Sequence, residues 1–200
     1  MAGTLTTSEV IGLAALAEFT AFGYRRTSIE SIARRADVSR ATVYAHWSNK
    51  EELFRALVSR LHEDHLAEMQ AVANNPGLDI ETRITKLLRA QFLQFVELTS
   101  NSHYAAELYD RHGTLCGEIA RDANERAGKI LATALRRAVK TGEIDLTASG
   151  LTVAQLAGVL TDCAHGAKGE DPATATPADF TTRLANSVRV IIAGVGARRS

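Results

Sequence analysis

The sequence has few of the residues that staple or break a chain. In 200 residues there are two cysteines, Cys116 and Cys163, and three prolines, Pro76, Pro172 and Pro177. Two cysteines cannot form a disulfide framework, so free thiols are expected, as in a reducing cytosol. No stretch approaches the ~20 consecutive apolar residues that a membrane helix needs. The opening MAGTLTTSEV has neither the basic start nor the apolar run of an export signal. A cytoplasmic protein without a membrane partner is therefore expected. Strand-like alternation of apolar and polar residues is almost absent, and no internal repeat is visible. Net charge is absent too: 23 basic residues balance 23 acidic ones. No cluster of nucleophile, base and orienting group stands out, so an enzyme is not expected and no catalytic residue, cofactor or metal is assigned.

What is present is helical spacing, and the fold class expected is all-α, with about nine helices. The first runs from about Thr7 to Phe22, with Ile11, Ala15 and Phe19 on one face, Thr6-x-x-Glu9 as a capping box and Gly23 as a terminator. A second helix follows Thr27, whose hydroxyl would cap it with Glu30. A tight turn at Asp37 and Val38 leads to a short third helix, capped by Ser39 and ending at His46. Ser48-x-x-Glu51 would open a fourth, broken by Asn75-Pro76-Gly77. Further helices are expected over about 79–100, 103–112, 115–140, 151–167 and 178–195. Thr176-Pro177 would start the last of these, after a polar and mobile loop, Lys168 to Ala175. The expected division is a helix-turn-helix domain over 1–50 and a helical ligand-binding and dimerisation domain over 51–200.

Two short helices joined by a tight turn and supported by a first helix describe a helix-turn-helix. Charge agrees with this. Between Gly23 and Arg60 there are eight basic and four acidic residues, a local excess of positive charge in a neutral chain. Arg40, Ala41 and Thr42 lie at the exposed start of the third helix. There an arginine can bond guanine, a threonine can reach a base or its methyl, and alanine allows close approach. Thr27, Ser28, Ser39, Tyr44, His46 and Lys50 flank them as candidate phosphate contacts. Residues 1–8 hold no Lys or Arg, so no basic arm for the minor groove is expected.

The run Ile11, Ala14-Ala15, Phe19, Gly23-Tyr24, Thr27-Ser28, Ile32-Ala33, Ala36, Val38-Ser39, Thr42-Val43-Tyr44, His46-Trp47, Lys50-Glu51, Leu53 resembles the N-terminal pattern of the TetR family of bacterial repressors. The match covers about residues 8–58. Two departures lie in the motif: Asp37 stands where the family usually has Gly, and Trp47 where it has Phe. The resemblance implies a homodimer that binds an inverted-repeat duplex operator and releases it when a small-molecule effector occupies the C-terminal body.

In that body, Leu88, Gln91, Phe92, Phe95, His103, Tyr104 and Glu107 mix apolar walls with polar groups, as a pocket for a small, mainly hydrophobic ligand requires. Leu184, Val188, Ile191, Ile192 and Val195 form an apolar stripe near the C-terminus. Ala154, Ala157 and Gly158 on the preceding helix allow close approach, so these eight residues are the expected dimer interface. His62 and His65, with Glu68 one turn on, share a helix face but lack a visible third metal ligand, and are expected to be exposed. A regulator of the same fold that senses metal at these histidines, or oxidation of Cys116 or Cys163, is the alternative, as is one without any ligand. Cys163 and His165 are ~200° apart around a helix, which excludes a direct catalytic pair.

Overall fold

The structure, a computed structural model, describes residues 5–100, 102–169 and 176–195, and eight helices lie among them. Most of the Lys168–Ala175 loop and half of the expected non-basic N-terminal arm, residues 170–175 and 1–4, lie outside the described residues. No helix among the described residues is long and apolar enough to cross a membrane.

Helix α1 (Thr7–Arg26) opens on the expected capping box of Thr6 and Glu9, and Gly23 interrupts it at φ 78°. A glycine is needed at that φ because an L side chain there crowds its own backbone. Helix α2 (Ile29–Arg35) is capped by Ser28, which exchanges bonds with Ser31. The expected cap was one residue earlier. Thr27 is buried and its hydroxyl donates to Gly23 O at 2.7 Å, which ties the end of α1 down instead. Ser39 caps α3 (Arg40–His46) as expected. Between them Asp37 adopts φ 54°, the left-handed turn conformation anticipated at this position. Helix α4 (Lys50–Asn74) is capped by Asn49, again one residue away from the expected Ser48. Ser48 N instead donates to the Glu52 carboxylate at 2.7 Å.

Helix α5 (Ile80–Thr99) is joined to α4 by a turn that the buried Arg83 holds, donating to the carbonyls of Ala73, Asn75 and Leu78. Two helices were expected over 103–112 and 115–140, but one continuous helix, α6 (Ala105–Thr141), covers both. Gly113-Thr114 does not break it: a lone glycine costs a helix only about 1 kcal/mol, and there is no proline to remove a hydrogen bond. Gly142, left-handed at φ 77°, ends it. Helices α7 (Val153–Ala167) and α8 (Pro177–Val195) follow, α8 with proline at its first position.

Apolar side chains gather in two clusters. One joins Ile11, Ala15 and Phe19 of α1 to Ile32, Val43, Leu53 and Phe54, and reaches Cys116 on α6. Glu18, buried in α1, pairs with Arg35 of α2 at 2.6 Å, so this small cluster also carries an ion pair at its edge. The other cluster is built from α4 to α8 around Leu87, Leu88, Leu131, Leu135, Leu156 and Phe180.

The second cluster corrects one expectation. Leu184, Val188, Ile192 and Val195 are buried within their own chain, at 0–6% exposure, because α8 packs on α5 and α7. An apolar stripe at helical spacing shows that a face is covered, not by what. On the outer surface of the same helices lie Ala154 and Gly158, with Ala157 and Ile191 half-buried, and the exposed Val159 and Val190.

Candidate nucleic-acid interface and effector cavity

The exposed end of α3 is built by its neighbours. Val43 is fully buried in the cluster that also holds Ile32 and Leu53, while Arg40, Ala41 and Tyr44 on the same helix are exposed. Tyr44 is 46% exposed, and His46 is exposed against the half-buried Trp47, ring centroids 5.4 Å apart. Thr42 is half-buried, its hydroxyl 2.8 Å from that of Ser39, so its rotamer is held by the cap. Ser28 and Ser39 are exposed at the starts of α2 and α3. Ser28, Ser39, Arg40, Tyr44 and His46 are thus all exposed on α3 and at the starts of α2 and α3.

Two of the flanking residues point elsewhere. Thr27 is buried and bonded inward, so its side chain cannot meet a phosphate. Lys50 is half-buried, and its Nζ donates to Tyr24 O and Thr27 O at 2.8 Å each while lying 4.4 Å from the Tyr24 ring centroid. Burial draws its ammonium below the ordinary lysine range, against the opposing charge of Glu107. Its structural work is to neutralise carbonyls where α1 gives way to α2.

The start of α6 grips this small domain. Glu107 accepts from Arg25 N at 2.7 Å, Tyr104 OH accepts from Arg26 Nη1 at 3.0 Å, and Ser102 donates to Thr20 O at 3.0 Å. Arg111 lies over the other aromatic partner, Tyr24, at 5.5 Å. Gly23 makes the close approach possible: a Cβ there would lie 2.5 Å from Glu107 Oε2 and 2.8 Å from Tyr104 Cδ1.

Behind this junction is a cavity of about 980 Å³ between α1, α4, α5, α6 and the end of α7. Of the seven residues expected around a pocket, Gln91, Phe92 and Phe95 line it. The other four do not. Leu88 is fully buried in the core, His103 is exposed, and Tyr104 and Glu107 face the helix-turn-helix as just described. Leu16, Phe19 and Thr20 of α1 complete the wall, so the first helix of the helix-turn-helix region is also part of the cavity.

The histidines expected on the surface are inside. His62 and His65 are 5% and 3% exposed, and Nε2 of His62 lies 3.3 Å from Nε2 of His112. All three rings surround Phe95 at 5.1–5.9 Å. Burial, with the neighbouring His65 and His112, pushes the His62 imidazole down to about 4. Burial likewise lowers His65, His112 and His165. Among the described residues no three potential ligands are arranged to hold a metal ion. His112 and the nearby Lys168 were not singled out in the sequence, because nothing local signals that they converge on a site built mainly by α4 and α5. Cys116 is buried beneath the junction and burial raises its thiol to about 11, which leaves little thiolate to oxidise at neutral pH.

Residues 11–57 match the family described as bacterial regulatory proteins, tetR family. Over 137 residues, the chain is 31% identical to the probable HTH-type transcriptional regulator ArpR of Pseudomonas putida. That alignment covers 62% of this chain and 63% of ArpR. The structure of SmeT, the repressor of the Stenotrophomonas maltophilia multidrug efflux pump SmeDEF, is 25% identical. It superposes with a TM-score of 0.67 over 96% of this chain and 92% of SmeT. A SmeT–triclosan complex, aligned at 23% identity, has the same TM-score over the same shares of the two chains.

Proposed function

We infer that this chain is a member of the tetR family of bacterial regulatory proteins, a cytoplasmic DNA-binding transcriptional regulator and not an enzyme. It would act as a repressor on an inverted-repeat operator, as a homodimer released by a small, mainly hydrophobic effector. The observation that carries the reading is the outward face of α3, where Arg40, Ala41 and Tyr44 are exposed on a helix anchored by the buried Val43. Arg40 and Thr42 are the base-reading residues of this proposal, and Ser28, Ser39, Tyr44 and His46 flank them toward phosphates. The division into a DNA-binding part up to about residue 50 and an effector and dimer part beyond it belongs to the same reading.

Effector control is supported by the shared walls. The cavity touches α1 directly, and α6 lines it with Leu108 and His112 just beyond the Tyr104 and Glu107 contacts to Arg26 and Arg25. A ligand that binds one setting of this junction more tightly than another would shift the orientation of α3. The volume suits a drug-sized molecule, and SmeT, with this fold, has been captured with triclosan. For the dimer, the outer face of α7 and α8 is the surface of choice. Ala154, Ala157 and Gly158 permit close helix approach, and Val159 and Val190 would be covered.

Selection of bound duplexes from a random pool tests the DNA reading, followed by titrations at several salt concentrations. An inverted repeat should emerge. Arg40→Ala should then relax preference at one base position by about 1–3 kcal/mol, while Tyr44→Phe weakens all sequences alike. Salt-independent binding, or no enriched sequence, would reject the proposal.

A further inference from the structure

The charged groups around the cavity are few and unevenly placed. Among its described lining residues only Asp110 and Lys168 bear a formal charge with the histidines neutral. Asp110 is exposed, whereas Lys168 is half-buried at the end of α7, with Nζ 4.6 Å from the Phe92 ring centroid. Among the described residues this ammonium has no hydrogen-bond or ion-pair partner. Its charge acts on both His112 and His165, making each harder to protonate, so the three groups share one region. His165 packs edge-on against the same Phe92 ring at 4.8 Å.

Further in, both ring nitrogens of His65 and Nδ1 of His62 are buried without a partner among the described residues. A buried polar atom left without a hydrogen bond is costly, and a ligand that supplies one recovers that cost. Among the described residues the cavity therefore offers one cation and several imidazoles beside the aromatic wall of Phe92 and Phe95, and none of the arginines that a phosphate group would call for.

We propose that the cavity selects an amphipathic monoanion, a carboxylate on an aromatic or branched apolar body, with the charged end held at Lys168 between His112 and His165. This rests on the effector reading above and narrows its ligand class. A single ammonium that has already lost much of its hydration matches one carboxylate, and the bond formed is charge-assisted. The apolar body would lie along Phe92 and Phe95, toward α4.

Calorimetric titration with matched pairs of aryl carboxylates and their primary amides, from benzoate to anthracene-2-carboxylate, separates the possibilities. Each acid that binds should do so at least about tenfold more tightly than its amide. Lys168→Met, which keeps the length and apolar stem, should erase that preference while leaving amide affinity within about twofold. Equal binding of acids and amides, or a preference that survives in Lys168→Met, overturns the anion proposal but leaves a hydrophobic effector site standing. If no member of either series binds, the effector reading falls with it.

Discussion

Lowering the pH from about 7 to about 5 should destabilise the fold by about 2 kcal/mol through His62 alone. The ring is 5% exposed, and burial beside His65 and His112 moves it from the ordinary 6.5 to about 4. Below pH 6.5 the unfolded chain takes up a proton there and the folded chain does not, so unfolding is favoured as pH falls. The stability is fully present above about 6.5, is lost progressively on the way to about 4, and changes no further below that. A shift of this size corresponds to about 3 kcal/mol over the whole window, of which about 2 has gone by pH 5. His65, His112 and His165 are shifted in the same direction and add to the slope. Urea unfolding at a series of pH values, for wild type and His62→Gln, measures it. The variant should lose a smaller part of its stability over this range, because it removes one titrating ring. A wild-type stability that stays flat from pH 7 to 5, or identical slopes in the two proteins, would refute the burial argument.

Asp37 holds φ 54° in the turn between α2 and α3, so Asp37→Val should cost about 1–2 kcal/mol while Asp37→Gly is neutral or stabilising by up to about 1 kcal/mol. Thermal melts decide this, and a valine variant as stable as wild type would contradict it. Gly23→Ala places a methyl 2.5 Å from Glu107 Oε2 at φ 78°, and should cost about 1–3 kcal/mol in chemical denaturation by loosening α6 from α1. Lys50→Met should destabilise the protein by about 1–3 kcal/mol, since two carbonyls lose a charged donor. Unchanged stability with a salt slope lower by about one would instead return Lys50 to the phosphates.

The helix-turn-helix was legible because its signals are local. Apolar spacing in α1, a glycine at 23, a serine at 39 and the sequence of α3 act over one or two helical turns, and short-range sterics and capping decide them. Capping was read one residue out at Thr27 and Ser48, where two neighbouring side chains could each serve and tertiary contacts chose between them. Thr27 was drawn to Gly23 O, and Ser48 gave way to Asn49.

The sequence by itself determined that the chain is helical, where most helices begin and end, and which short segment faces outward as the candidate DNA-reading surface. Only the tertiary structure decided what each apolar or polar face meets. The stripe from Leu184 to Val195 turned inward onto α5 and α7, and Tyr104 and Glu107 became the clasp on Arg26 and Arg25 and not pocket residues. His62 and His65 joined His112 around Phe95, although 50 residues separate His62 from His112. Periodicity shows which side of a helix is apolar. It carries no information about which distant helix will cover that side, because that choice is made by packing among elements far apart in the chain.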